Sequence, residues 1–164
     1  MSYSATKQRV SNRGVPSDDF LDQLLAWGKQ APDEIFARNT YSDIYSNIFN
    51  TLGPWQDISH RRAVMLEAMR VLAGFESSWH WTAGRDTTNA TSITPDTIEA
   101  GAWQVSANSM SFGQELKDLV QAKIGTHEGN AFQKAMKENH PLAMEYVARL
   151  LRRTTQHHGS CMPT

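Results

Sequence analysis

Only one cysteine, Cys161, stands among the 164 residues. A disulfide within the chain is therefore excluded, and so is a zinc site built on cysteines. Stability must come from packing. Nothing charged or helical around Cys161 would activate its thiol, so it reads as a bystander. Long apolar runs are missing as well. No stretch approaches the roughly 20 residues of a membrane helix, so no membrane insertion is expected. Residues 1–14 are polar and lack the apolar core of a signal peptide. The chain is thus expected to be made in the cytoplasm and to leave it, if at all, by a dedicated route. Neither sign of charge dominates: 16 Lys and Arg face 17 Asp and Glu, for a formal net charge of −1. No global footprint for nucleic acid exists. A Gly-rich phosphate loop, a Gly-x-Ser-x-Gly elbow and a Cys–His pair are all absent. His60, His80, His127, His140, His157 and His158 form no zincin spacing, so no metal and no other cofactor is expected.

What is present suits one mostly helical domain. Apolar residues make up 40% of the chain, enough for one core, and 20% are charged, which argues against disorder. Residues 1–15 are polar without a period and read as a loose arm. Ser17 is placed to cap a first helix, with Asp18 and Asp19 in its first turn. Phe20, Leu21, Leu24, Leu25 and Trp27 supply its apolar face, and Gly28 and Pro32 close it. Ile44, Tyr45, Ile48, Phe49 and Leu52 predict a second helix, stopped by Gly53 and Pro54. Ser59 opens a third, carrying Val64, Ala68, Val71, Leu72 and Phe75, with Glu76 at its end.

The pattern then changes. Residues 82–97 hold six threonines and one large aliphatic, Ile93. This predicts a loop or a short irregular β-hairpin. Helical spacing returns from Ser106 and ends at Gly125. A short helix through Phe132 and Met136 follows. The last helix has Pro141 in its first turn and the stripe Leu142, Tyr146, Val147, Leu150 and Leu151. A polar excursion inside a helical domain is where a site is expected.

The chemistry-bearing residues flank that excursion: Gly74-Phe75-Glu76-Ser77-Ser78-Trp79 before it, Glu99-Ala100-Gly101-Ala102-Trp103-Gln104-Val105-Ser106 after it. Glu76 sits beside aromatic residues at the negative end of a helix dipole. Both conditions favour its protonated form. A carboxylic acid so disposed can protonate a leaving sugar oxygen.

These residues resemble the lysozyme-like superfamily, in particular goose-type lysozymes and lytic transglycosylases. Glu76-Ser77 is similar to the family's catalytic pair. Gly101-Ala102-Trp103-Gln104-Val105 is similar to its cleft segment, with Ala102 where a large aliphatic is usual. Tyr146-Val147 is similar to a third motif. The likeness runs over roughly residues 63–151. It implies a lysozyme-like fold, Glu76 as catalytic acid, and Ser77, Trp103, Gln104 and Tyr146 at the cleft. A Glu–Asp–Thr series in phage-type lysozymes adds Asp86 and Thr91, the aspartate falling one place late. Asp86, or failing that Glu99, would then hold the attacking water. The implied substrate is the β-1,4-linked N-acetylglucosamine and N-acetylmuramic acid strand of peptidoglycan. A lytic transglycosylase, a phage endolysin and a non-catalytic glycan- or protein-binding module are the alternatives. The resemblance extends to type VI secretion effectors that act in a rival's periplasm, each matched by an immunity protein.

Plainer roles exist for the same residues. Asp86 in Gly-Arg-Asp-Thr suits an Asx turn. Glu99 suits a solvated loop, Trp103 and Tyr146 a core, and Gln104 a backbone-bonded amide. Arg149, Arg152 and Arg153 with Lys134 and Lys137 form either a basic face or a solvated helix surface.

Overall fold

The computed structural model describes residues 6–40 and 42–153, so Cys161, His157 and His158 lie outside it. Its longest element is α3 (Ile58–Ser77), and the first, second and last of the other α-helices pack on it. The sequence of α3 is rich in Ala, Met, Leu and Arg, all strong helix formers. Val64, Met65, Ala68, Met69, Leu72 and Ala73 are buried along it. Its cap is Asp57 rather than Ser59. The Asp57 carboxylate accepts the His60 N–H at 2.8 Å, and a carboxylate at that position also meets the positive end of the dipole.

Helix α1 (Asp18–Gln30) packs on α3, capped by Ser17, whose Oγ accepts the Phe20 N–H at 3.2 Å. It does not stop at Gly28. A Cβ there would lie 2.5 Å from a methyl of Leu66. Gly28 is thus a point of close approach between two helices, and the helix runs on to Gln30. Helix α2 (Ile44–Leu52) opens with a capping box. Asp43 accepts the N–H groups of Tyr45 and Ser46, and Ser46 Oγ accepts that of Asp43.

Helices α4 (Gln114–Ile124), α5 (Gly129–Glu138) and α6 (His140–Leu151) follow a 3-10 stretch, Ala107–Phe112. Gly125 ends α4 in the left-handed region, as its position predicts. Asn139 caps α6, with Pro141 in the first turn. The whole predicted stripe of α6 is buried, each large side chain stabilising the fold by about 1.5–3 kcal/mol.

Of the loop or irregular hairpin expected over 82–97, the loop is what forms. That segment is a chain of turns, and the isolated bridge in this region pairs Ala100 with Val105. Residues 6–15 are not a loose arm. Val10 is buried against Gly74, and the Arg70 guanidinium donates to the Gln8 carbonyl at 2.8 Å. Lys7 pairs with Asp18 at 2.5 Å. A 3-10 turn, Ser11–Arg13, completes a strap across α3.

The basic face also resolves otherwise. Arg149 binds Glu145 at 2.8 Å and Glu34 at 3.0 Å. Arg152 is buried on Asp43 at 2.7 Å, and Arg153 pairs with Glu115. These three arginines tie helices together instead of offering free charge. No helix among the described residues is long and apolar enough to cross a membrane.

Candidate active site at the end of the third helix

Helix α3 ends in a sharp reversal through two left-handed residues, Ser78 (φ 53°) and Trp79 (φ 64°). Their N–H groups donate to the carbonyls of Gly74 at 3.0 Å and Ala73 at 3.1 Å, satisfying the helix end. Glycine usually fills such positions. A side chain there costs about 1–2 kcal/mol. Trp79 recovers stability by lying back along α3, its indole N–H donating to the Arg70 carbonyl at 2.9 Å.

The reversal leaves Glu76 on the last turn. Its side chain is open to solvent. Burial is nevertheless the largest influence on its carboxyl, and raises the pKa above the usual glutamate value. The positive charge of Arg13 acts in the opposite direction. The negative charges of Asp86 and Glu99 raise the pKa further. All three groups therefore lie within the electrostatic reach of Glu76.

Arg13 is the site residue that sequence reasoning missed. The signal was a lone aliphatic, Val10, inside a polar stretch, followed by the turn-forming Asn12-Arg13-Gly14. Anchoring Val10 on α3 is what carries Arg13 to the site.

Asp86 is fully exposed and forms the Asx turn expected of its setting. Its Oδ1 accepts the Thr88 hydroxyl at 2.6 Å and the Thr88 N–H at 2.8 Å. These bonds, with that of the Asn89 N–H, hold its carboxyl below the usual aspartate value. The turn geometry thus keeps Asp86 ionised in the field of Glu76. Glu99 is half-buried, and both its oxygens are engaged. Asn89 Nδ2 donates to Oε1 and Ser92 Oγ donates to Oε2, each at 2.5 Å. Glu99 therefore clamps the polar loop onto the start of the second motif. Thr91 stays exposed, and its hydroxyl donates to Asn89 Oδ1 at 2.8 Å in a turn of its own.

The two motifs are joined directly. Ser77 Oγ donates to the Ala102 carbonyl at 2.8 Å and accepts the His80 N–H at 3.1 Å. Gly101 is left-handed (φ 77°), and a Cβ there would sit 2.6 Å from the Met136 carbonyl of α5. Its N–H donates to the Ala83 carbonyl at 2.8 Å. Residues 100–105 then close into a tight turn. Gln104 is left-handed (φ 46°), and its Nε2 donates to the Gly101 carbonyl at 3.0 Å. Its amide holds the turn.

Trp103 and Tyr146 do not line a cleft. Trp103 is 6% exposed, donates its indole N–H to the Met69 carbonyl at 2.8 Å, and packs on Phe20 and Trp81. No ring face is left for a sugar. Tyr146 is fully buried, with its hydroxyl 2.6 Å from Ser109 Oγ, and burial pushes its phenol pKa well up. Both residues belong to the core.

Four non-glycine residues are left-handed among the described residues: Ser11, Ser78, Trp79 and Gln104. All lie in the segments that carry Arg13, Glu76 and the Gly101 turn. Strained backbone of this kind concentrates at functional sites. The chemistry available is that of two carboxyls in one another's field, one pushed towards its acid form and the other held as the anion. No group of three His, Cys, Asp or Glu residues among the described residues is placed to hold a metal ion. Compared with family models, curated proteins and solved structures, the chain matches none of them.

Proposed function

We propose that the chain is a peptidoglycan glycoside hydrolase with Glu76 as its acid. Glu76 donates a proton to the oxygen of the β-1,4 link as the bond to the anomeric carbon breaks. Asp86 receives a proton from the water that attacks that carbon, or stabilises the positive charge on the ring. What supports this reading is the place of Glu76 on the last turn of α3, which Ser77 Oγ ties to the Ala102 carbonyl at 2.8 Å, together with a Glu76 pKa raised by burial and by the charges of Asp86 and Glu99. Exposure of Asp86 suits a group that must meet water. Glu99 acts on the reaction by fixing residues 89–92, and Arg13 opposes the rise in the Glu76 pKa. The substrate class follows from the likeness of Glu76-Ser77 and of the residue 101–105 segment to lysozyme-like enzymes.

The biological setting proposed is that of an antibacterial effector delivered to a target periplasm. Its immunity protein would cover Glu76, Asp86 and the turn at Thr88.

Turbidity of purified peptidoglycan tests the assignment. Glu76→Gln is expected to lower the clearing rate at least about 100-fold, the lower bound for loss of a general acid. Asp86→Asn is expected to lower it as well. Lysis by folded Glu76→Gln at the wild-type rate overturns the reading.

A further inference from the structure

A cavity of about 490 Å³, within the size range of small-ligand sites, shares no residue with the Glu76 site. Arg61 lies in its wall with a buried side chain. Its Nε donates to the Phe36 carbonyl and its Nη2 to the Ala37 carbonyl at 3.3 Å. Its guanidinium carbon lies 3.7 Å from the centre of the Tyr45 ring. Among the described residues its Nη1 makes no hydrogen bond. Arg38 faces the same space, exposed and without an ion pair among the described residues. The only acid among the described lining residues is Asp43, and it is already committed to Arg152 at 2.7 Å. Two arginines thus stand against one occupied aspartate. Burial is the largest influence on Arg61 and lowers its pKa; the charges of Arg152 and Arg38 act in the same direction, and those of Tyr45 and Asp43 oppose them.

The rest of the wall is aromatic. Trp55 meets the edges of Tyr45 and Phe49, at 5.1 Å and 5.7 Å between ring centres. Phe49 is 47% exposed, although it is a large apolar residue at a cavity mouth. Rings beside unmatched guanidinium donors form a site for an anion that carries a flat apolar face.

We infer that this cavity binds an anionic ligand bearing a ring, with the anionic group between Arg38 and Arg61 and the ring on Trp55 and Phe49.

The test is an NMR titration of the full chain with phenylacetate, read at the Trp55 indole N–H and the Arg61 Nε–H. The expected result is a saturable shift of both signals. Phenylacetamide, the neutral isostere, is expected to bind at least tenfold more weakly, and Arg38→Gln to weaken phenylacetate by a similar factor. Arg38 is the side chain to change because it is exposed. Changing Arg61 would remove the donors to Phe36 and Ala37. The inference is overturned if phenylacetate gives no saturable shift, if phenylacetamide binds as well, or if folded Arg38→Gln binds like wild type. Glycan turnover is not the readout, so failure here is separate from failure of the Glu76 assignment.

Discussion

Ser77 Oγ donates to the Ala102 carbonyl at 2.8 Å, tying the helix end that carries Glu76 to the turn that follows the threonine-rich loop. The bond spans 25 residues and closes the loop that holds Asp86. Ser77→Ala leaves a buried carbonyl without its donor, which costs about 1–3 kcal/mol. Urea denaturation is expected to show that loss, and Ser77→Thr, which keeps a hydroxyl, to lose less. Equal stability of Ser77→Ala and wild type would remove this bond from the frame of the site.

Gly101 admits no side chain. Its left-handed backbone opposes one, and so does the Met136 carbonyl, 2.6 Å from where a Cβ would sit. Gly101→Ala is expected to lose more than about 2 kcal/mol, since left-handed strain alone costs about 1–2 kcal/mol and α5 must also shift. A melting curve checks this, and an unchanged midpoint would contradict it.

The buried Asp43–Arg152 pair fastens the start of α2 to the end of α6. Asp43→Ala strands the Arg152 charge and also removes the α2 cap. Breaking such a pair costs about 3–5 kcal/mol. Denaturant midpoints should show a deficit of that order, far larger than for Lys134→Ala, whose contact with Glu138 is exposed and 4.0 Å long.

Helices were legible where a local signal sufficed. Ser17, Gly125 and Pro141 mark ends by chemistry within a few residues, and the α6 stripe repeats every three or four residues. What escaped depends on distant partners. Gly28 looks like a stop until Leu66 of α3 is seen to need the space. Val10 looks idle until Gly74 leaves room for it. Trp103 is as suited to a sugar as to a core, and its contacts with Phe20, Met69 and Trp81, all distant in sequence, decide for the core. At the site, the place of Glu76 at a helix end could be read from the sequence. Arg13 could not, because its approach relies on the strap across α3.

The raised pKa of Glu76 has a signed consequence for stability. The folded state holds the Glu76 proton more tightly than the unfolded state does, so stability falls as pH rises from the unfolded pKa through the folded one. Glu76→Gln is therefore expected to be more stable than wild type at pH 8. The difference should vanish below about pH 4, where glutamate is protonated in the unfolded chain as well. Thermal melts across this range decide it, and a Gln variant less stable than wild type at pH 8 would contradict the desolvated carboxyl.

The coupling between the two carboxyls can be read directly. Asp86 raises the Glu76 pKa by its charge. Asp86→Asn is then expected to lower the Glu76 titration midpoint, seen in the ¹³C signal of its carboxyl. In turn, the basic limb of the activity profile should move to lower pH. A midpoint that stays in place would separate the two groups.

The most direct test is mass spectrometry of peptidoglycan digested by wild type and by Glu76→Gln, with both proteins shown to be folded. Soluble glycan fragments with ordinary reducing ends, from the wild type only, are the expected result. Anhydromuramic ends would contradict hydrolysis, and fragments from both proteins, or from neither, would contradict Glu76 as the acid of a glycan-cutting enzyme.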